Sequence, residues 1–254
     1  MWLRPLTTLV WLEFLWYRGY PLRFLNLVLL PGLMVAPYLL FAQLYGADEG
    51  FRSSVAVGLI FWFWLSNFLW EVGYGLENDL EAGTLESLLV APVSVPLILS
   101  AKAIACILNN LFVTVILAGW LYLFTFSMDL PWFELIGLAI LSSFALLGFV
   151  MILAGSVLLL KRSESIGAVL QTVLGLLSGA TAPPRLFPLP IRVMSGLIPL
   201  TYGIAAVRLI LQGQRVGLPI VLLMVTGTFY ALIGHVFMRR AEKRVKTMGT
   251  TGEF

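Results

Sequence analysis

Residues 77–92 read ENDLEAGTLESLLVAP: four carboxylates and no Lys or Arg, in a chain of 254 residues of which only 11% are charged. Apolar runs flank the segment, residues 53–70 before it and 103–128 after it. Each is about as long as the roughly 20 residues a helix needs to cross the hydrocarbon of a bilayer. The acidic segment therefore reads as a connection between two membrane spans. Composition agrees. A chain that is 60% hydrophobic, with mean hydropathy +0.96, has more apolar surface than a soluble core of this size can hide. Its 13 prolines and 23 glycines suit spans, where neighbouring helices satisfy backbone groups freed at kinks. The expected organisation is one all-α polytopic membrane domain over residues 1–254, without a separate globular domain.

Three further runs free of Asp, Glu, Lys and Arg are long enough to cross: residues 24–47, 135–160 and 216–238, the last carrying His235. A weaker sixth, residues 166–184, ends in GATAPP and barely reaches the required length. The stretch after it is broken by Pro188, Pro190 and Pro199 and carries Arg185, Arg192 and Arg208. It reads as a re-entrant or interfacial hairpin over about 183–213, whose loose backbone must be buried in protein or lie at the interface. Six transmembrane helices with a hairpin before the sixth is the expected count.

An even number of spans puts both termini on one side, and the positive-inside rule makes that side basic and cytoplasmic. Arg4, Arg18 and Arg23 precede the first span, Lys102 and then Lys161 and Arg162 fall at inner ends, and RRAEKRVK opens a basic tail over residues 239–254. Eleven of the 16 basic residues then lie inside. The others, Arg52, Arg185, Arg192, Arg208 and Arg215, lie outside, mostly around the hairpin; a hairpin that crossed fully would put the termini on opposite sides.

Ahead of the first span, Leu3, Leu6, Val10, Phe14 and Tyr17 recur at steps of three or four. This pattern, rich in Trp and Tyr, fits an amphipathic helix of residues 1–22 in the cytoplasmic headgroup layer; the plainer alternative is a buried helix leading into span one. Its aromatics and Glu13 are unlike a signal peptide, so the segment is expected to be retained.

Within the acidic segment, Asn78 and Glu81 have capping-box spacing. Thr84 is a second N-cap candidate, with Glu86 in the first turn, where the helix dipole favours a negative charge. Leu85, Leu88 and Leu89 make an apolar ridge, Gly83 interrupts the start, and Pro92 and Pro96 stop the helix. The segment is either a docking helix with an acidic flank or a solvated loop held outside the bilayer by its charge.

The run from Glu77 to Ala103 resembles the signature of ABC-2 type permeases, the membrane subunits of a class of ATP-driven exporters. Glu81, Gly83, Thr84, Leu85, Glu86, Leu88, Leu89, Pro92 and Lys102 carry the likeness. The stretch LSGATAPPRLFPLPIRVMSGLIPLTYGIAAVRLILQG is similar to the same family's hairpin through Ser178, Gly179, Pro188, Pro190, Pro199, Leu200, Thr201, Tyr202 and Arg208. Ile198 stands where many relatives have Asn, and ATAPP replaces their aromatic approach to the prolines.

The resemblance implies a cytoplasmic coupling helix over about 77–92 that docks on a nucleotide-binding ATPase through Glu81, Gly83, Thr84, Leu85, Glu86 and Leu88. It implies two permease copies with two ATPase copies, with an outer gate that includes Pro199, Tyr202 and Arg208. No phosphate-cradling G-x-x-x-x-G-K-[ST] motif occurs in the chain, so ATP and Mg²⁺ are expected on the partner, with no cofactor in this chain. No constellation of nucleophile and base or of metal ligands appears, so neither a catalytic nor a metal site is expected. One cysteine, Cys106, excludes an intrachain disulfide.

Gly175 and Gly179 have the spacing of a close helix contact and are candidates for dimer formation. Asn67, Asn109, Asn110 and Gln171 must face the bundle or a wet path, as substrate contacts or as inter-helix bonds. Trp62, Trp64, Trp70, Trp120 and Tyr122 either stack on substrate or serve packing and interfacial belts. No span holds the chain of Asp, Glu or His that suits an ion-coupled carrier, the main rival class; a non-transporting scaffold leaves the acidic signature unexplained. The expected substrate is amphipathic, a drug or lipid-like molecule, with polysaccharide or lipid-linked glycan as the alternative. The expected location is the inner membrane of a prokaryote, with lipid and not nucleic acid as surroundings.

Overall fold

The computed structural model describes residues 7–8, 11, 21–73, 75, 94–123, 129–160, 164–180, 184 and 187–248. Of the expected interface helix, only Thr7, Thr8, Trp11 and the start of the first long helix fall among them; the coupling segment 77–92 lies outside them. The described residues form helices and no strands: α1 (Pro21–Leu44), α2 (Glu49–Phe68), α3 (Val95–Leu123), α4 (Trp132–Leu160), α5 (Glu164–Leu177), α6 (Leu189–Ser195), α7 (Pro199–Leu211) and α8 (Gly217–Met248). A π-helical turn, Leu69–Gly73, extends α2.

Four segments are long and apolar enough to cross a membrane: Glu49–Gly73, Val95–Leu123, Trp132–Leu159 and Gly217–Val245. At about 1.5 Å per residue each exceeds the roughly 30 Å of hydrocarbon. α6 and α7 meet at 95° and make a fifth only if the bent pair is taken as one span. α1 runs helical through Pro31 and Pro37 for 24 residues. The weak sixth run folds as α5, of only 14 residues, about 21 Å long and shorter than the hydrocarbon. A count of six requires α1 and α5 to cross as well. At the other end of the chain, α8 continues through the basic residues Arg239, Arg240, Lys243 and Arg244 without a break.

Glycine ends two of these helices in the same way. Gly46 and Gly213 both have φ of +66°, a left-handed conformation that costs Gly little. After each, the next residue's N–H reaches back five positions, Ala47 to Ala42 O and Gln214 to Leu209 O, both at 2.9 Å. This is the Schellman arrangement, which satisfies carbonyls that a helix end leaves open.

α2 lies at the centre. Of its apolar window 72% is buried, against 17% for α8, which faces the surroundings. Phe61, Leu65, Phe68 and Leu69 of α2 are fully enclosed, meeting a core that includes Leu99 and Leu117 of α3, Leu135 and Leu146 of α4, and Leu200 of α7. α4 and α8 form the most extensive helix pair and run parallel along small residues. A Cβ on Gly148 would strike the backbone of Tyr230 and Ala231, one on Gly234 the backbone of Gly148, and one on Gly227 would meet Ala145. Lipid gives no hydrophobic push between helices, so contact this close gains its energy from dispersion.

Candidate coupling and transport site

The acidic residues Glu81 and Glu86, with Gly83, Thr84, Leu85 and Leu88, lie outside the described residues, but both borders of their segment are in view. On the near side α2 ends in the π turn Leu69–Gly73, with Leu69, Val72 and Gly73 buried. A π turn adds a residue to the helical repeat and is frequent at functional positions. On the far side α3 begins at Val95, and the Lys102 ammonium lies where a Cβ on Gly75 would be 3.2 Å away. The segment thus lies in the sequence between α2 and α3, two antiparallel helices joined by hydrogen bonds in mid-bundle.

The amides expected in the bundle largely find one another. Asn67 Nδ2 donates to Asn110 Oδ1 at 2.8 Å, and Asn110 donates onward to Cys106 Sγ at 3.8 Å. Trp64 Nε1 donates to Thr114 Oγ1 at 2.9 Å, and that hydroxyl donates to Asn110 O at 2.7 Å. These bonds tie α2 to α3 with Asn110 fully buried. Gln171 of α5 uses both ends of its amide: Nε2 donates to Ser66 Oγ at 2.8 Å, and Oε1 accepts from Trp70 Nε1 at 2.6 Å. Asn109 sits apart from both sets on the half-buried flank of α3.

The aromatics behave similarly. Trp64 is buried and bonded, Trp62 packs on Gly175, and Trp120 packs on Gly32. Tyr122 is 85% exposed near the end of α3. Gly175 and Gly179 do not share a helical face: Gly175 has Trp62 Nε1 where a Cβ would be 2.5 Å away. Gly179 lies past the end of α5 with φ of +84°.

The gate residues expected in the hairpin all lie on α7, but Tyr202 and Arg208 bond to different segments. Pro199 opens α7, where its missing N–H costs nothing. Tyr202 donates its hydroxyl to Gly196 O at 2.6 Å and Thr201 donates to Ser195 O at 2.8 Å, so both close the bend between α6 and α7. Arg208 reaches out of the hairpin, donating through Nη1 to Gly179 O at 2.8 Å and through Nη2 to Ser54 O at 3.3 Å. One side chain thereby joins α7, the end of α5 and the start of α2. Beside it is a cavity of about 240 Å³ lined by residues that include Ser54, Ser178, Pro184, Thr201, Arg208 and Gln212. The roles of Ser66 and Thr114 are not legible in sequence, since a hydroxyl in a span bonds its own helix as readily as a neighbour.

With this arrangement in view, the family model of the ABC-2 type transporter matches residues 4–211. The chain belongs to the ABC-2 type transporter family and is a multi-pass membrane permease of the kind that works with an ATPase. A comparison with curated proteins returned no match.

Proposed function

We propose that the chain is the permease of an ATP-driven exporter in a prokaryotic inner membrane, with both termini cytoplasmic and two copies joined to two ATPase subunits. The ATPases bind ATP and Mg²⁺; this chain converts their closure into movement of the spans. The observation that carries the reading is that α2, the most enclosed span, leads through its π turn directly toward the acidic segment. A displacement applied at residues 77–92 therefore enters the centre of the bundle rather than its edge. Glu81 and Glu86 steer the partner by charge, while Leu85 and Leu88 provide the apolar grip and Gly83 and Thr84 shape the helix start.

The substrate is amphipathic, a drug or lipid-like molecule taken from the cytoplasm or inner leaflet. The bonding of Asn67, Asn110 and Gln171 to their neighbours supports this, because it leaves those amides serving the bundle rather than a polar channel. The test of coupling is Glu81→Lys combined with Glu86→Lys. The expected result is at least a tenfold loss of permease-dependent ATP turnover with normal membrane insertion; unchanged turnover in the double variant would refute docking through this segment.

A further inference from the structure

Along α2, Gly58, Trp62, Ser66 and Trp70 stand at steps of four, which places them on one helical face. α5 and the turn after it run antiparallel along that face. Trp70 donates to Gln171 at 2.6 Å, Gln171 donates to Ser66 at 2.8 Å, and Ser66 donates to Trp62 O, also at 2.8 Å. Trp62 then packs on Gly175, and the carbonyl of Ala180 lies directly against Gly58, where any Cβ would overlap it. The opposite side of α5, with Val169, Thr172, Val173 and Leu176, is exposed.

We infer that α2 and α5 form a single moving arm, with Gln171 as its positioning residue. Separation would break both bonds of the Gln171 amide, the part-buried one to Ser66 included, whereas movement of the pair together keeps them. The face also lacks slack, since Gly58 and Gly175 have no side chain to cushion a slide. At the far end, Arg208 holds Gly179 O and Ser54 O at once, so the arm meets the hairpin through both of its helices. A push on the end of α2 is thereby delivered to α5 and to α7 in one step.

This inference rests on the exporter reading, and its test keeps the two apart. In a chain with Cys106→Ala, cysteines at Ser66 and Gln171 are joined by a short bifunctional thiol reagent, and ATP turnover of the complex with its copurified ATPase is compared before and after linkage. Trp62→Cys with Gly175→Cys is a second α2–α5 pair should the first variant fold poorly. The arm predicts that α2–α5 links retain at least half of the turnover. Loss of turnover on linking α2 to α5 would show that they must part, and overturns the arm. An unlinked parent that copurifies with no ATPase overturns the exporter reading, and the inference with it.

Discussion

Arg208 is the residue on which the hairpin depends most visibly. Its fork reaches two carbonyls on different segments, which a single ammonium cannot match in geometry. Arg208→Leu removes both bonds and should cost about 1.5–3 kcal/mol, the range for a hydrogen bond to a charged group. Arg208→Lys should recover part of that, as read from thermal unfolding in detergent; a Leu variant as stable as the parent would contradict the tie. The hairpin prolines were legible in the sequence, and the resemblance to the family's hairpin singled out Tyr202 and Arg208. The partners were not, because Gly179 and Ser54 contribute only main-chain oxygens, and any residue carries one. Asn67 and Asn110 illustrate the same limit: hydrocarbon forces each amide to find a partner, but which one depends on the register of two helices.

At the scale of elements, periodicity and apolar length placed α2, α3, α4 and α8 well, and the two prolines inside α1 did not end it. The short α5 was visible as the weakest run. Small-residue spacing drew attention to Gly175 and Gly179 as a contact between two copies; the tight seam within the chain, between α4 and α8, is built from Gly148, Gly227 and Gly234. Gly227 and Gly234 are seven residues apart, two helical turns on one face, a signal present in the sequence. Gly148→Val should drive α4 from α8 and cost about 1–3 kcal/mol or more, the usual range for overpacking. On α3, in contrast, a Cβ added to Gly119 would meet nothing within 4 Å. Gly119→Ala should therefore be neutral or gain up to about 1 kcal/mol from helix propensity. Equal melting temperatures for the two variants would refute the seam.

At the scale of the whole molecule, one enclosed helix, α2, connects every feature of interest. It borders the acidic segment, bonds to α3 through Asn67 and Trp64, carries α5 along one face, and meets the hairpin through Ser54 and Arg208. Such a layout suits a machine driven from one end. The central claim is that an ATPase supplies that drive, and the most direct measurement is to purify the chain from its native membrane, identify what copurifies and assay ATP turnover with and without this subunit. The account predicts a stoichiometric ATPase whose turnover depends on the permease. A chain that purifies without any ATPase would contradict it.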